Sequence, residues 1–499
     1  MEFVLSLPES SLLPVYRQVC EALKQAILSG RLPPGAKLPS TRDLAESASV
    51  SRFTIIRSYE ELAAQGYVQT ISGSGTFVNR EIPKEIADIV AEFASEQAFQ
   101  ASSLGETELS AYGKRCLEGE IEPANLELFP ELNYGAPSID QLPLNRWREV
   151  VNRNSRFHDP GLLAYESDPF GYAPLREAIA GYLVRSRSVR CAPEQIAIFT
   201  GAQAALDLVC RLLIRPSDFA AVENPGFSGA RRTLLMNSAQ LFPVDVDNHG
   251  LLVHRLYDCE QHLRVAYVTP SHHDPTGVVM SLPRRLELLR WADRNDSYVI
   301  EDDYDSEFRY GDKPVPSLQG LDEHDRVIYL STFWKVLFPV VRLAFVVVPR
   351  RMLAPFARAK SLIDRDFSLL EHRSLAEFIN EGHLERHIRR TRSLYAKRRV
   401  SLVQALTRHF RKRVTISSVT AGMHLLVRFA PEISREDVLR SARKAEVPLV
   451  STNNHYLHDC DDSEFLIGFA HADEEQIQSS IERFAQELAA YIEAPVAAN

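Results

Sequence analysis

YLSTFWKVLFPVVRLAF, residues 329–345, decides the fold class. Lys335 follows a strand-like run and lies in an otherwise apolar segment, where loss of water would lower its pKa and favour imine chemistry. Thr332 and Arg342 flank it at spacings suited to clasping one phosphate, the guanidinium by a bidentate contact. Upstream and downstream of this segment, helical patterns such as LREAIAGYLVRS alternate with the short apolar runs QIAIFT, AAVE, VAYVT, SYVIED, RVIYLS and AFVVVP. That alternation, from about Leu132 onward, predicts buried parallel strands separated by helices in an α/β sandwich. From about residue 390 to 499, a long basic helix followed by VTISSV, MHLLVRF, VPLV and FLIGFA predicts a small α+β subdomain.

Three further segments supply chemistry around Lys335. YVIEDDYDSEF ends a buried strand in a cluster of acids, which is costly unless something positive faces it. Asp302 and Tyr304 sit two apart and so share one face of an extended strand, although Asp303 is an alternative to Asp302. TGAQAALDLV places Gly201, Ala202 and Gln203 at a helix start after a strand, where free amides and the helix dipole attract phosphate. ENPGFSGAR offers Phe227 as a ring to stack, and TPSHHDPTGVVM offers Asp274; a core aromatic and an ordinary Asp-Pro turn are the plain alternatives. A lysine amine, an acid for a pyridine nitrogen, a phosphate cup and an aromatic cover are together the demands of pyridoxal 5'-phosphate. In that reading Asp302 keeps the ring protonated and Tyr304 bonds the phenolic oxygen.

The N-terminal segment follows a different pattern. From Leu12 to Leu28 apolar residues recur at helical spacing until Gly30 and Pro33-Pro34-Gly35 stop the helix. Ser40 can cap a second helix, with Asp43 three residues on, and a third begins at Ser51. Gly66 ends the third helix before YVQTISGSGTFV, whose centre suits a hairpin turn, so the segment predicts three helices and a β-wing. Ser51, Arg52, Thr54 and Arg57 place hydroxyls and guanidinium groups at the start of that third helix, where base edges and phosphates would be reached, and Arg42 could hold a backbone phosphate. Solvated charges on a small helical domain are the competing explanation. Between about residues 80 and 130 the periodicity weakens and Ser, Glu, Ala and Gln dominate, which predicts a linker with room for some helix.

Composition sets the outer limits. At 499 residues the chain exceeds one hydrophobic core, and 45% hydrophobic with 25% charged residues is ordinary for a folded globular protein. A formal net charge of -9 gives no overall attraction to nucleic acid, so any DNA binding has to be local. Six scattered cysteines without a CxxC pair argue against a zinc site or a disulfide framework and fit a reducing compartment. No basic leader or membrane-length apolar run is present, so a cytoplasmic, non-membrane protein is expected.

The stretch from LPPGAKLPSTRDLAES to GSGTFV resembles the GntR-type winged helix, and the motifs from about Leu132 to Ala470 resemble fold-type-I aminotransferases. Together, with SHHDPTG, IEDDYDSEFRY and STFWKVLFP, they resemble the MocR/GabR family of bacterial regulators. The resemblance implies a winged helix-turn-helix at 1–79, a linker at 80–131 and an aminotransferase-like domain at 132–499. It further implies that Lys335 forms the internal aldimine, that Asp302 meets the pyridine nitrogen, and that Arg342, Thr332 and the 201–203 amides hold the phosphate. The third helix would enter the major groove of double-stranded DNA and the wing, around Gly73 to Gly75, would touch the backbone or minor groove. A head-to-tail homodimer is implied as well, with Tyr165 reaching the partner's phosphate. Phe53, Trp334, Val340, Ala344 and Asp274 depart from the pattern, and Leu466 stands where aminotransferases often carry an arginine for the substrate carboxylate. The expectation is a regulator that senses an amine, an amino acid or the cofactor; the alternative is a working aminotransferase carrying a DNA-binding head.

Overall fold

The computed structural model describes residues 14–48, 50–71, 73–79, 108–118, 134–135, 137–156, 168–311, 315–337, 339–364, 366–417, 420–458 and 460–492. The chain divides into two compact units, Met1–Glu108 and Leu109–Asn499.

In the first unit, α1 (Val15–Leu28) buries Val19, Cys20, Leu23, Ala26 and Ile27 along one stripe. Gly30 follows with φ +74°, the left-handed conformation that ends a helix. α2 (Thr41–Ser47) begins at Ser40, whose hydroxyl accepts the Asp43 amide at 3.2 Å. α3 (Arg52–Ala64) begins at Ser51, whose hydroxyl accepts the Thr54 amide at 3.1 Å. Each such cap satisfies an amide that the first turn would otherwise leave open and is worth about 1 kcal/mol. Ile55, Tyr59 and Leu62 turn inward from α3 and join Val68 and Val78 of the hairpin β1 (Val68–Ile71) and β2 (Gly75–Val78) in one core. Among the described residues of this unit, three helices and a two-stranded wing result.

The second unit is built on an eight-stranded sheet in the order β3 (Ile196–Phe199), β10 (Ala344–Val347), β9 (Val327–Thr332), β8 (Tyr298–Asp303), β7 (Leu263–Val268), β4 (Phe219–Asn224), β5 (Gln240–Asp247) and β6 (Gly250–Leu251). Strands β9, β8, β7, β4 and β5 run parallel, as the apolar runs predict. The AFVVVP strand does not: β10 is antiparallel to both β3 and β9, so the sheet is mixed. A parallel crossover needs a dozen or more residues. The chain between Thr332 and Ala344 is too short for one and turns straight back, with the Phe333 amide donating to Leu343 O at 2.9 Å. Alternate residues of β10 enter opposite layers, Phe345 and Val347 on one face and Val346 on the other, so both faces are covered.

The C-terminal part carries a second sheet, antiparallel throughout, in the order β11 (Val414–Ser417), β12 (His424–Phe429), β14 (Glu464–Gly468) and β13 (Val450–Ser451). Phe410, Phe429 and Phe484 pack their rings at 5.2 to 5.9 Å between this sheet and its helices. The helix His383–Phe410 runs unbroken through residue 390, where the sequence suggested a subdomain to begin. Within the stretch expected as linker, Ala111–Glu118 is helical, and Arg115 donates to Met236 O at 2.8 and 3.1 Å. Residues 80–107 and 119–131 of that stretch lie outside the described residues. No helix among the described residues is long and apolar enough to cross a membrane.

Candidate functional site

The ends of β7, β8 and β9 and the start of the helix Ala202–Leu213 converge on a cavity of about 350 Å³. Its lining contains Lys335, Asp302, Tyr304, Thr332, Arg342, Gly201, Ala202, Gln203, Phe227 and Asp274, every residue expected for it except Tyr165. Tyr165 lies outside the described residues. Tyr134, Tyr267, Thr269 and Trp334 complete the lining.

Lys335 stands on the short helix Trp334–Leu337 inside the return from β9 to β10, and its Nζ donates to Gly135 O at 3.0 Å. Three rings surround the amine, with centroids at 4.8 Å (Trp334), 5.8 Å (Tyr304) and 5.9 Å (Tyr134). Burial lowers the lysine pKa, and the carboxylates of Asp305, Asp274 and Asp302 restore only part of the shift. A lowered pKa enlarges the fraction of free amine, the nucleophilic form.

The acid cluster separates by strand alternation. Asp303 turns away from the cavity, where Arg187 Nε lies 2.7 Å from its carboxylate and the Tyr329 hydroxyl donates at 2.5 Å. Asp302 faces the cavity and accepts from the Tyr267 hydroxyl. Burial pushes its pKa up to about 7; the Tyr267 bond opposes the rise, and Asp303, Asp274 and Asp305 add to it. A buried carboxylate in that condition suits a cationic group facing it, because such a group would restore the ionised form.

At the other end of the cavity Gly201 precedes the helix Ala202–Leu213 with no side chain capping its first turn, so the opening amides point at solvent-sized space. Thr332 and the exposed Arg342 stand beside them. Phe227 packs its ring so closely over Gly229 that a Cβ there would come within 2.5 Å of it. The Gln203 amide donates to Gly229 O at 3.2 Å and so ties the helix start to the same turn.

The lower wall is polar. The Tyr134 hydroxyl donates to Asp274, and His455 Nε2 lies 3.8 Å from the same carboxylate. Burial alone would raise the Asp274 pKa, but His455, the Tyr134 hydroxyl, His424 and His273 together hold it below the usual value. The Tyr304 hydroxyl is 3.0 Å from His272 Nδ1, which in turn lies 2.9 Å from Asp305. Burial lowers the pKa of His424 to about 3 and of His273 to about 4. Glu223, pushed up to about 8 by burial, accepts from the Thr269 amide at 2.9 Å and from its hydroxyl at 2.8 Å.

In the first unit, Arg42, Arg52, Phe53 and Arg57 are exposed, Phe53 with 73% of its surface open. The Ser51 and Thr54 hydroxyls lie 2.8 Å apart and belong to the α3 cap. Arg52 Nε donates to Thr41 Oγ1 at 3.3 Å, and the Arg57 guanidinium lies 3.9 Å from the Tyr16 ring centroid. Gly75 begins β2 at φ +115°, and a Cβ there would approach Lys37 Cε to 2.9 Å.

Comparison with known proteins agrees with this architecture. Residues 131–484 match the model for aminotransferase class I and II, and residues 15–78 match the one for bacterial regulatory proteins of the gntR family. A probable rhizopine catabolism regulatory protein, MocR, from Rhizobium meliloti is 35% identical over 470 residues, covering 94% of this chain and 92% of that one. The pyridoxine biosynthesis transcriptional regulator PdxR of Corynebacterium glutamicum is 31% identical, covering 78% of this chain and 77% of its own. Among solved structures, a kynurenine aminotransferase of Pyrococcus horikoshii, in complex with PMP, superposes with a TM-score of 0.67 at 26% identity, covering 81% of this chain and all of that one. The chain belongs to the MocR-type transcriptional regulators, a GntR-family DNA-binding head joined to a class I and II aminotransferase domain whose cofactor is pyridoxal phosphate.

Proposed function

We propose that an amine, an amino acid or pyridoxal phosphate itself acts at the cavity around Lys335 and thereby sets the affinity of the head for an operator in double-stranded DNA. The observation that carries this reading is that one cavity gathers a lysine of lowered pKa, a buried acid and an uncapped helix start. Those are three of the four groups the cofactor requires, and Phe227 is the fourth, the aromatic cover. When bound, the cofactor supplies an aldehyde and an electron-withdrawing pyridine ring. Lys335 is the amine that holds it, and Asp302 keeps the ring nitrogen protonated. The amides of Gly201, Ala202 and Gln203, with Thr332 and Arg342, hold the phosphate, and Phe227 covers the ring. Tyr304 and Asp274 stand at the phenolic side, and Asp274 also borders the space beside the Lys335 amine. In the head, Arg42, Arg57 and the wing at Gly75 contact the sugar-phosphate backbone. At the start of α3, Ser51, Arg52 and Thr54 reach base edges and phosphates, with the exposed Phe53 beside them.

The assembly in this reading is a cytoplasmic head-to-tail homodimer, with Tyr165 reaching the partner's phosphate and two heads meeting a repeated or inverted operator. A ligand shifts DNA affinity only as far as it prefers one arrangement of the dimer. Operator binding by fluorescence anisotropy, with and without pyridoxal phosphate and candidate amines, tests this in the wild type and in Lys335→Ala. Ligand-dependent affinity in the wild type that disappears in the variant supports sensing; unchanged affinity in every condition refutes it. Rapid release of a keto acid would point to turnover instead.

A further inference from the structure

The charges that line the cavity are unequal to the binding of an ordinary amino acid. Two carboxylates, Asp274 and Asp302, face two basic groups, Lys335 and Arg342. In the function proposed above, on which this inference rests, Lys335 engages the cofactor's aldehyde and Arg342 its phosphate. No other arginine or lysine lines the cavity among the described residues. At Leu466, where an arginine is expected in aminotransferases that bind a substrate carboxylate, β14 is fully buried and pairs with Leu426 and Val450. A carboxylate brought into this space would lie near Asp274 with no cation to receive it, and buried unpaired charges of like sign repel strongly.

The same wall favours a cation. Asp274 is only 4% exposed and is held by the Tyr134 hydroxyl. The aromatic faces of Tyr134 and Trp334 stand within 6 Å of the Lys335 amine, a distance at which ring quadrupoles attract ammonium groups.

We propose that this cavity selects a primary amine that carries no carboxylate, with a second ammonium or hydroxyl group directed at Asp274, and that Asp274 is the specificity-determining residue. Two four-carbon compounds that differ only at their far end isolate this property. The cofactor-loaded full-length protein is titrated by calorimetry with 1,4-diaminobutane and with 4-aminobutanoate, and visible absorbance beforehand establishes that the cofactor is bound. The diamine is expected to bind at least roughly tenfold more tightly, the worth of one charge-assisted hydrogen bond against an unpaired charge. Asp274→Asn is expected to shrink that ratio by a similar factor, weakening the diamine and strengthening the aminobutanoate. Equal or tighter binding of the aminobutanoate overturns the proposal, as does an unchanged ratio in Asp274→Asn or failure of both compounds to bind. Absence of visible absorbance is a different result, because it removes the cofactor reading itself. Should Asp274→Asn not fold, the wild-type ratio alone decides.

Discussion

Replacing Asp302 by asparagine should stabilise the cofactor-free protein at alkaline pH while weakening its response to the cofactor. Asp302 is buried, accepts only the Tyr267 hydroxyl among the described residues, and has its pKa raised from 3.8 to about 7 by burial and by Asp303, Asp274 and Asp305. In the unfolded chain the group ionises near its ordinary value. Between the two pKa values the folded state therefore binds the extra proton, and stability falls as pH rises from about 4 to about 7. Three pKa units correspond to about 4 kcal/mol, which the folded cofactor-free protein forgoes above pH 7. An asparagine side chain at this position would not ionise and would still accept from Tyr267, so that loss disappears. A cofactor whose ring nitrogen carries a proton relieves the same penalty in the wild type, and its stabilising effect should be larger at pH 8 than at pH 5.5. Thermal unfolding of wild type and Asp302→Asn across pH 5 to 8.5, with and without pyridoxal phosphate, measures both effects. A variant that melts lower than wild type at pH 8 without cofactor refutes this account, as does one pH slope shared by both proteins.

Other substitutions separate packing from recognition. Arg187→Met leaves the Asp303 carboxylate buried without its cation, and urea unfolding should show a loss of about 3–5 kcal/mol. Ser51→Ala removes the cap of α3 and should cost about 1 kcal/mol, read as faster amide exchange in the first turn of that helix. Phe53→Ala should leave melting unchanged, because the ring is 73% exposed, yet lower operator affinity by roughly tenfold in an anisotropy assay. Replacing operator thymines by deoxyuridine should weaken the wild type and leave Phe53→Ala little affected, if the ring meets a thymine methyl.

Much of the site was readable because its residues lie at element boundaries that the sequence marks. Lys335 sits in a short apolar return, Asp302 is one residue from the end of a strand, and Gly201 opens a helix; each position follows from local pattern. Strand alternation alone separates Asp302 from Asp303, and the structure agrees by giving Asp303 to Arg187. Tyr267 was not legible, since its meeting with Asp302 depends on β7 lying beside β8, a neighbour relation that period-two patterning does not encode. Tyr134 was lost for another reason, because it borders a weakly patterned stretch and acquires meaning only through its contacts with Asp274 and Lys335. Thr269 could have been noticed, as it opens the TPSHHDPTG segment at the end of an apolar run. The direction of β10 departs from the expected parallel run because apolar composition shows that a strand is buried without showing which way it runs, whereas the length of the preceding connection does show it.

That return from β9 to β10 constrains how such a chain can change over generations. The segment holding Lys335 is anchored at both ends by registered strands, Thr332 opposite Ala344 and Ser331 opposite Phe345. A residue inserted or deleted between them has to be absorbed within the return that carries Lys335, because a slip of one strand by a single step would send its alternate side chains into the wrong layer. The pocket can therefore diversify by exchanging side chains around the lysine, as Trp334 illustrates, but its spacing is fixed by the sheet. A change of ligand made by exchanging single side chains around Lys335 leaves that register untouched, whereas a change of length beside the lysine displaces the amine itself.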